Sequence, residues 1–84
     1  MAQGIQANLQ DAVVRRINQL CRHNGWTYYR LAMESGLTPR TINYIAAGKN
    51  HSINLNSIKK IADAFNMSIP DFFDTTYFRN LPQD

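Results

Sequence analysis

Cys21 is the only cysteine among 84 residues, so the chain can form no internal disulfide. Its fold must rest on a packed core, and a lone thiol fits a reducing cytoplasm. Charged side chains are also scarce, at 18%. That is below the usual quarter and excludes a disordered, highly charged tail. No apolar run approaches the roughly 20 residues needed to span a bilayer. Residues 1–6 lack the charged start and apolar stretch of a secretory signal. The expectation is a cytoplasmic protein with no membrane partner. Strand-like alternation of apolar and polar residues is nearly missing, as are repeats and linkers. No glycine-rich phosphate loop or Ser/His/Asp arrangement is visible. Cys21, His23 and His51 make no recognisable metal spacing. The chain is therefore expected to be no enzyme and to need neither cofactor nor metal. Cys21 reads as a small buried apolar residue.

What is present is 44% hydrophobic residues, enough for one compact domain, and a lopsided charge. Nine Lys and Arg oppose six Asp and Glu, a net +3. Only Asp11 and Glu34 are acidic within the first 60 residues, whereas Asp63, Asp71, Asp74 and Asp84 crowd the remainder. A basic front with an acidic back suits a polyanion-binding face; an unevenly charged solvated surface is the alternative.

Helical spacing recurs along the chain. Leu9, Val13, Ile17, Leu20 and Cys21 form one face of a helix over about 8–22, which Asn24 and Gly25 stop. Thr27 caps a short second helix that points Leu31 and Ala32 inward and ends at Gly36. Thr38 caps a third helix over 39–47, with Pro39 in its first turn and Gly48 after its end. Ile42, Ile45 and Ala46 share one side of it, and Arg40, Asn43, Tyr44 and Ala47 share the other. Residues 49–53 read as a loop. Asn54 or Asn56 caps a fourth helix with the stripe Leu55, Ile58, Ile61, Ala62 and Phe65, broken at Asn66. Ser68 and Asp71 suggest a capping box opening a fifth, short helix through Phe72 and Phe73. The expected class is all-α. The domain spans 8–74, between a flexible segment 1–7 and a tail 75–84 too apolar to be purely solvated.

Residues 27–48 carry the functional signal. A helix, a tight glycine turn and a second helix are wedged together by Leu31, Leu37, Ile42 and Ile45, with Ala32 where they approach. This is a helix-turn-helix, whose second helix can enter a DNA major groove. The pattern T-x-x-x-L-A-x-x-S-G-L-T-x-x-T-I-x-x-I-x-x-G resembles the Cro/C1-type helix-turn-helix of phage repressors and their bacterial relatives, the XRE-like or lambda-repressor-like family. The likeness continues through residues 55–65 and 68–73.

That resemblance implies a compact five-helix bundle binding operator DNA as a homodimer, a small transcriptional repressor. It implies that Thr27 and Tyr28 approach phosphates and an outer base pair. Thr38, Pro39, Arg40, Thr41, Asn43 and Tyr44 belong to the helix facing base edges. Lys49 and Asn50 lie along the backbone. Relatives often carry glutamine where this chain has Tyr28 and Pro39, and Pro39 cannot offer an amide's paired donor and acceptor.

Arg40 can read a guanine or hold a phosphate. Tyr44 can pack on a thymine methyl, bond a phosphate, or be an amphipathic surface residue. Arg15, Arg16 and Arg22 are solvated or reach a flanking phosphate, and Lys59 and Lys60 read mainly as a solvated face. Trp26 reads as a lid over the core, Tyr29 as surface or partner contact, and Phe72 as core. Tyr77 and Phe78 either close the monomer core or contact a second copy, and they stand as candidate dimer contacts. The competing reading is a protein-interaction module on the same fold, an antitoxin or adaptor with a protein partner.

Overall fold

Each helix opens on a short polar side chain that accepts one of its free N–H groups. The computed structural model describes residues 8–48 and 53–81. Among these, α1 spans Leu9–Asn24, α2 Tyr28–Ser35, α3 Pro39–Ala46, α4 Leu55–Ala64, α5 Ile69–Phe72 and α6 Thr76–Arg79, with no strand. Asn8 caps α1 through the Asp11 N–H (2.9 Å), Thr27 caps α2 through Arg30, and Thr38 caps α3 through Thr41. Asn54, not Asn56, caps α4 through Ser57 (2.8 Å). Ser68 and Thr75 do the same for α5 and α6. Each such cap contributes about 0.5–2 kcal/mol relative to alanine. At Ser68 only half of the expected capping box forms, the bond from the Asp71 N–H.

The stops are equally local. Gly25 (φ 67°) is left-handed, and the N–H groups of Gly25 and Trp26 bond the carbonyls of Arg22 and Cys21. This closes α1 with a Schellman turn. Gly36 (φ 79°) closes α2, and a side chain there would meet backbone strain although the space is open. Asn66 takes the left-handed turn after α4 (φ 60°), which asparagine tolerates better than most residues.

The core joins Val13, Ile17, Leu20 and Cys21 of α1 to Leu31 and Ala32 of α2. Ile42 and Ile45 enter from α3, Ile58, Ile61 and Ala62 from α4, and Phe72 from α5. Helix α2 lies against both α3 and α4, while α1 supports α3 and α6. Ala32 is 1% exposed where α2 meets its neighbours, so a larger residue there would push the helices apart. Trp26 stacks on Phe65 (4.8 Å between ring centres), covering the core as expected for a lid.

Two apolar positions depart from the sequence expectation. Leu9 shares the apolar face of α1 and Leu55 the expected buried stripe of α4, yet they are 59% and 72% exposed. Each sits in the first turn of its helix, beyond the described core. The tail takes one of the two places open to it. It contains α6, and Phe78 packs edge-on against Phe73 (4.8 Å) and beside Phe72 (6.3 Å). Phe78 thus closes the monomer core, while half-buried Tyr77 lies under the Arg15 guanidinium (6.0 Å). Among the described residues, neither ring is one of the strongly exposed hydrophobics.

Arg16 is half-buried and bound to the protein itself. Its Nε and Nη2 donate to the carbonyls of Phe72 (2.7 Å) and Asp71 (2.8 Å), and its Nη1 donates to Gln19 (2.8 Å). Burial pushes the guanidinium pKa down, with Tyr77 and Asp71 opposing that shift. The group remains charged, because arginine titrates far above neutrality. It fastens the end of α5 to α1. Arg16→Met keeps most of the stem and removes these donors. It is expected to cost about 1–3 kcal/mol in urea denaturation; a loss near zero would show that water replaces the guanidinium without penalty.

Candidate nucleic-acid interface

Helix α3 is divided sharply by burial. Ile42 and Ile45 are each 1% exposed, while Pro39, Arg40, Asn43 and Tyr44 face solvent. The division follows from 100° per residue. Positions 42 and 45 meet α1 and α2, and positions 40, 43, 44 and 47 fall outside. The exposed side therefore offers a cation, an amide and a phenol at successive turns of a rigid element.

The start of α3 is built by Thr38. Its hydroxyl accepts the Thr41 N–H (3.1 Å) and donates to the Thr41 hydroxyl (2.9 Å). Its carbonyl takes the Ile42 N–H. Pro39 has no N–H. Among the described residues, the first turn therefore keeps only the Arg40 N–H for an outside acceptor. Thr38 and half-buried Thr41 serve mainly to shape this turn. Each has its hydroxyl in the cap, which leaves the Thr41 proton as the one donor they can offer outward.

The start of α2 is more open. Thr27 accepts the Arg30 N–H (3.1 Å), and the N–H groups of Tyr28 and Tyr29 have no acceptor among the described residues. Free N–H groups at a helix start, with the positive end of its dipole, favour a phosphate. Tyr28 itself is turned sideways. Its hydroxyl donates to the Asn18 side-chain oxygen on α1 and its ring is half-buried. A tyrosine used this way has spent its proton, so it cannot repeat the donor role of a glutamine amide. Long-range packing made this contact, and no local spacing announced it.

Arg22, for which the sequence leaves solvent and a flanking phosphate both open, is brought to this corner by its place on α1. With Asn18, Trp26, Thr27 and Tyr28 it lines a shallow hollow of about 310 Å³ beside the start of α2. Arg22 is exposed and makes no ion pair among the described residues. Arg30, by contrast, is held by Glu34 (2.8 Å) and lies over the Trp26 ring (5.2 Å). Lys59 is likewise paired with Asp63 (2.6 Å), and Arg79 with Asp74. Among the described residues, Arg40 on α3 and Arg22 beside the start of α2 are thus cations without an ion pair.

No acidic residue lies on α3 or in the first turns of α2. Among the described residues, the carboxylates lie on α1, α4, α5 and the turn after it, apart from the paired Glu34. Repulsion of a polyanion is therefore kept off the outward face of α3. Lys49 and Asn50, named from sequence as backbone contacts, lie outside the described residues. Cys21 faces inward, and burial pushes its thiol pKa up, which leaves it protonated and a poor nucleophile. No described helix is long and apolar enough to cross a membrane.

Comparison with known proteins agrees with this architecture. Among curated proteins and among solved structures, nothing matches the chain. A family model described as the Cro/C1-type HTH DNA-binding domain matches residues 16–76. The match runs from the middle of α1 to the first residue of α6 and takes in both helices of the turn unit. Because the match covers well over half of the sequence, the chain belongs to the Cro/C1-type helix-turn-helix DNA-binding family.

Proposed function

We propose that this DNA-binding domain acts as a dimeric transcriptional repressor, placing α3 in the major groove of a two-fold operator. The observation that carries the reading is the outward face of α3, which presents Arg40, Asn43 and Tyr44 free of carboxylates on a helix locked by Ile42 and Ile45. Arg40 and Asn43 supply base-edge contacts and Tyr44 an apolar or phosphate contact. Pro39 contributes only its methylene surface. Thr38 and Thr41 set the angle at which α3 enters.

Thr27, the start of α2 at Tyr28, and Arg22 take phosphates on one flank. Lys49 and Asn50 take them on the other, on sequence grounds. Repression follows physically, because a dimer seated across a promoter occludes polymerase. The domain assignment, residues 8–74 with a further tail, belongs to the same proposal, with α6 added to it as a packed turn. No site built for catalysis enters this reading.

One observation favours a protein partner as well. Tyr29 and Met33, one turn apart on α2, are 64% and 63% exposed. An antitoxin or adaptor would use such a face in addition to DNA.

Selection from randomised duplex DNA, repeated at several salt concentrations, tests the proposal. A two-fold motif is expected, with log affinity falling against log salt at a slope of roughly −3.6 to −5.4, for about four to six phosphates met by a dimer. A slope near zero would end the DNA reading. Salt-dependent binding without a motif would reduce it to backbone binding.

A further inference from the structure

Gln10 stands where α1 would ordinarily carry an apolar residue. It lies seven residues before Ile17 and eleven before Cys21, within about 20° of each around the helix. Those two side chains are 2% and 4% exposed. Gln10 itself is half-buried, and it is the single polar side chain in a hollow otherwise lined by Leu9, Val13, Ile53, Leu55, Ile58 and Phe73. Packing alone would favour leucine there, because a half-buried amide carries a desolvation cost that only a hydrogen bond offsets.

The amide finds one partner among the described residues. Its Nε2 donates to the Gly48 carbonyl (3.0 Å), 38 residues along the chain. Gly48 comes two residues after the end of α3 and is left-handed (φ 72°), and its own N–H bonds the Ile45 carbonyl. Among the described residues, this is the one hydrogen bond that joins the segment from Thr38 to Gly48 to another helix; the others stay within that segment. Elsewhere α3 is held by the buried Ile42 and Ile45. Apolar contacts are non-directional and fix how deeply the helix sits, whereas a hydrogen bond fixes where its end points.

We infer that Gln10 is a positioning residue for DNA recognition. Through the Gly48 carbonyl it fixes the exit of α3, and with it the angle of Asn43 and Tyr44 in the groove and the point from which the chain continues to Lys49 and Asn50. The inference rests on the reading of α3 as the groove-binding helix. It goes beyond the family likeness, because Gln10 lies outside the residues that match the family model. Thr38 holds the start of α3 from within, and Gln10 holds its end from α1. With both ends held, the outward side chains meet the bases without first being ordered, which removes part of the cost of binding.

Gln10→Leu removes the donor and extends the apolar wall around it. Gln10→Lys removes the amide but keeps a donor long enough to reach the same carbonyl, and Gln10→Arg replaces it if lysine lowers the melting temperature. Three quantities are read on the full chain. They are the melting temperature, the carbonyl carbon resonance of Gly48 without DNA, and the preference for the wild-type operator over the same duplex with single base changes. In Gln10→Leu the resonance should move and the melting temperature should equal or exceed that of wild type. The preference should fall about threefold to tenfold as preorganisation is lost, chiefly at the bases met by Asn43 and Tyr44. Gln10→Lys should restore it. The preference is a ratio, so the added lysine charge, which raises affinity for every duplex alike, cancels.

Wild-type preference in Gln10→Leu would overturn the inference and leave the DNA reading standing. An unmoved Gly48 resonance would do the same. A loss of binding matched by a fall in melting temperature would make Gln10 a residue of the fold alone, and would also overturn it. So would a donor variant that melts like wild type yet fails to restore the preference. A wild type that binds no duplex would overturn the DNA reading, and this role with it, before any variant is compared.

Discussion

Phe72→Ala is expected to destabilise the chain by about 3–5 kcal/mol, the range for emptying a buried aromatic site. Phe72 is 0% exposed and is the only residue of α5 that is fully buried. Its ring meets Phe73 edge-on (5.2 Å), lies beside Phe78, and sits under the Arg16 guanidinium (6.0 Å). Its carbonyl holds Arg16 in place. Removing the ring therefore loosens α5 and α6 together and withdraws support from α1. A domain of this size is stable by about 5–10 kcal/mol, so the substitution takes away a large share of the total. Urea denaturation followed by circular dichroism measures it. A loss below about 1 kcal/mol would mean that α5 and α6 do not share the cooperative core.

Arg40→Glu should lower operator affinity by on the order of a hundredfold at moderate salt and leave the melting temperature unchanged. Arg40 is exposed, makes no ion pair among the described residues, and is the first cation of α3. Reversal loses its contact and adds repulsion from the phosphates. Arg40→Ala separates its two roles. A guanine contact is worth about 1–3 kcal/mol of discrimination, so its loss weakens the cognate site about tenfold to a hundredfold and relaxes one base position. A phosphate contact leaves the sequence preference intact and reduces the salt slope by about one. Retained affinity in Arg40→Glu would remove α3 from the groove and favour a protein partner. The unchanged melt matters equally, because it separates a lost contact from a lost fold.

The two predictions draw on different kinds of information. Arg40 could be named from helical periodicity, since Thr38, Pro39 and the isoleucine spacing fix which side of α3 faces out. The role of Arg16 could not. From the sequence Arg16 reads as solvated or as a flanking phosphate contact, and only the return of α5 brings two carbonyls within its reach, more than fifty residues along the chain. Tyr28 is intermediate. Its position at the start of α2 is legible from the Thr27 cap, but the turn of its hydroxyl toward Asn18 depends on how α1 and α2 cross. The same crossing carries Arg22 to the corner beside Thr27.

Alone, the sequence determined what is decided within a few residues. Thr27, Thr38, Asn54 and Ser68 start helices because a side-chain oxygen reaches an N–H three residues on. Gly25 and Gly36 end them because a left-handed turn is cheap at glycine. The outward face of α3 follows from the same local geometry. Only the tertiary structure decided how far each apolar stripe is covered, and by what. Leu9 and Leu55 repeat the spacing of buried neighbours yet stay open, and Phe78 leaves the tail for the core. Periodicity states which residues share a side of a helix, but burial depends on what the remainder of the chain lays against that side.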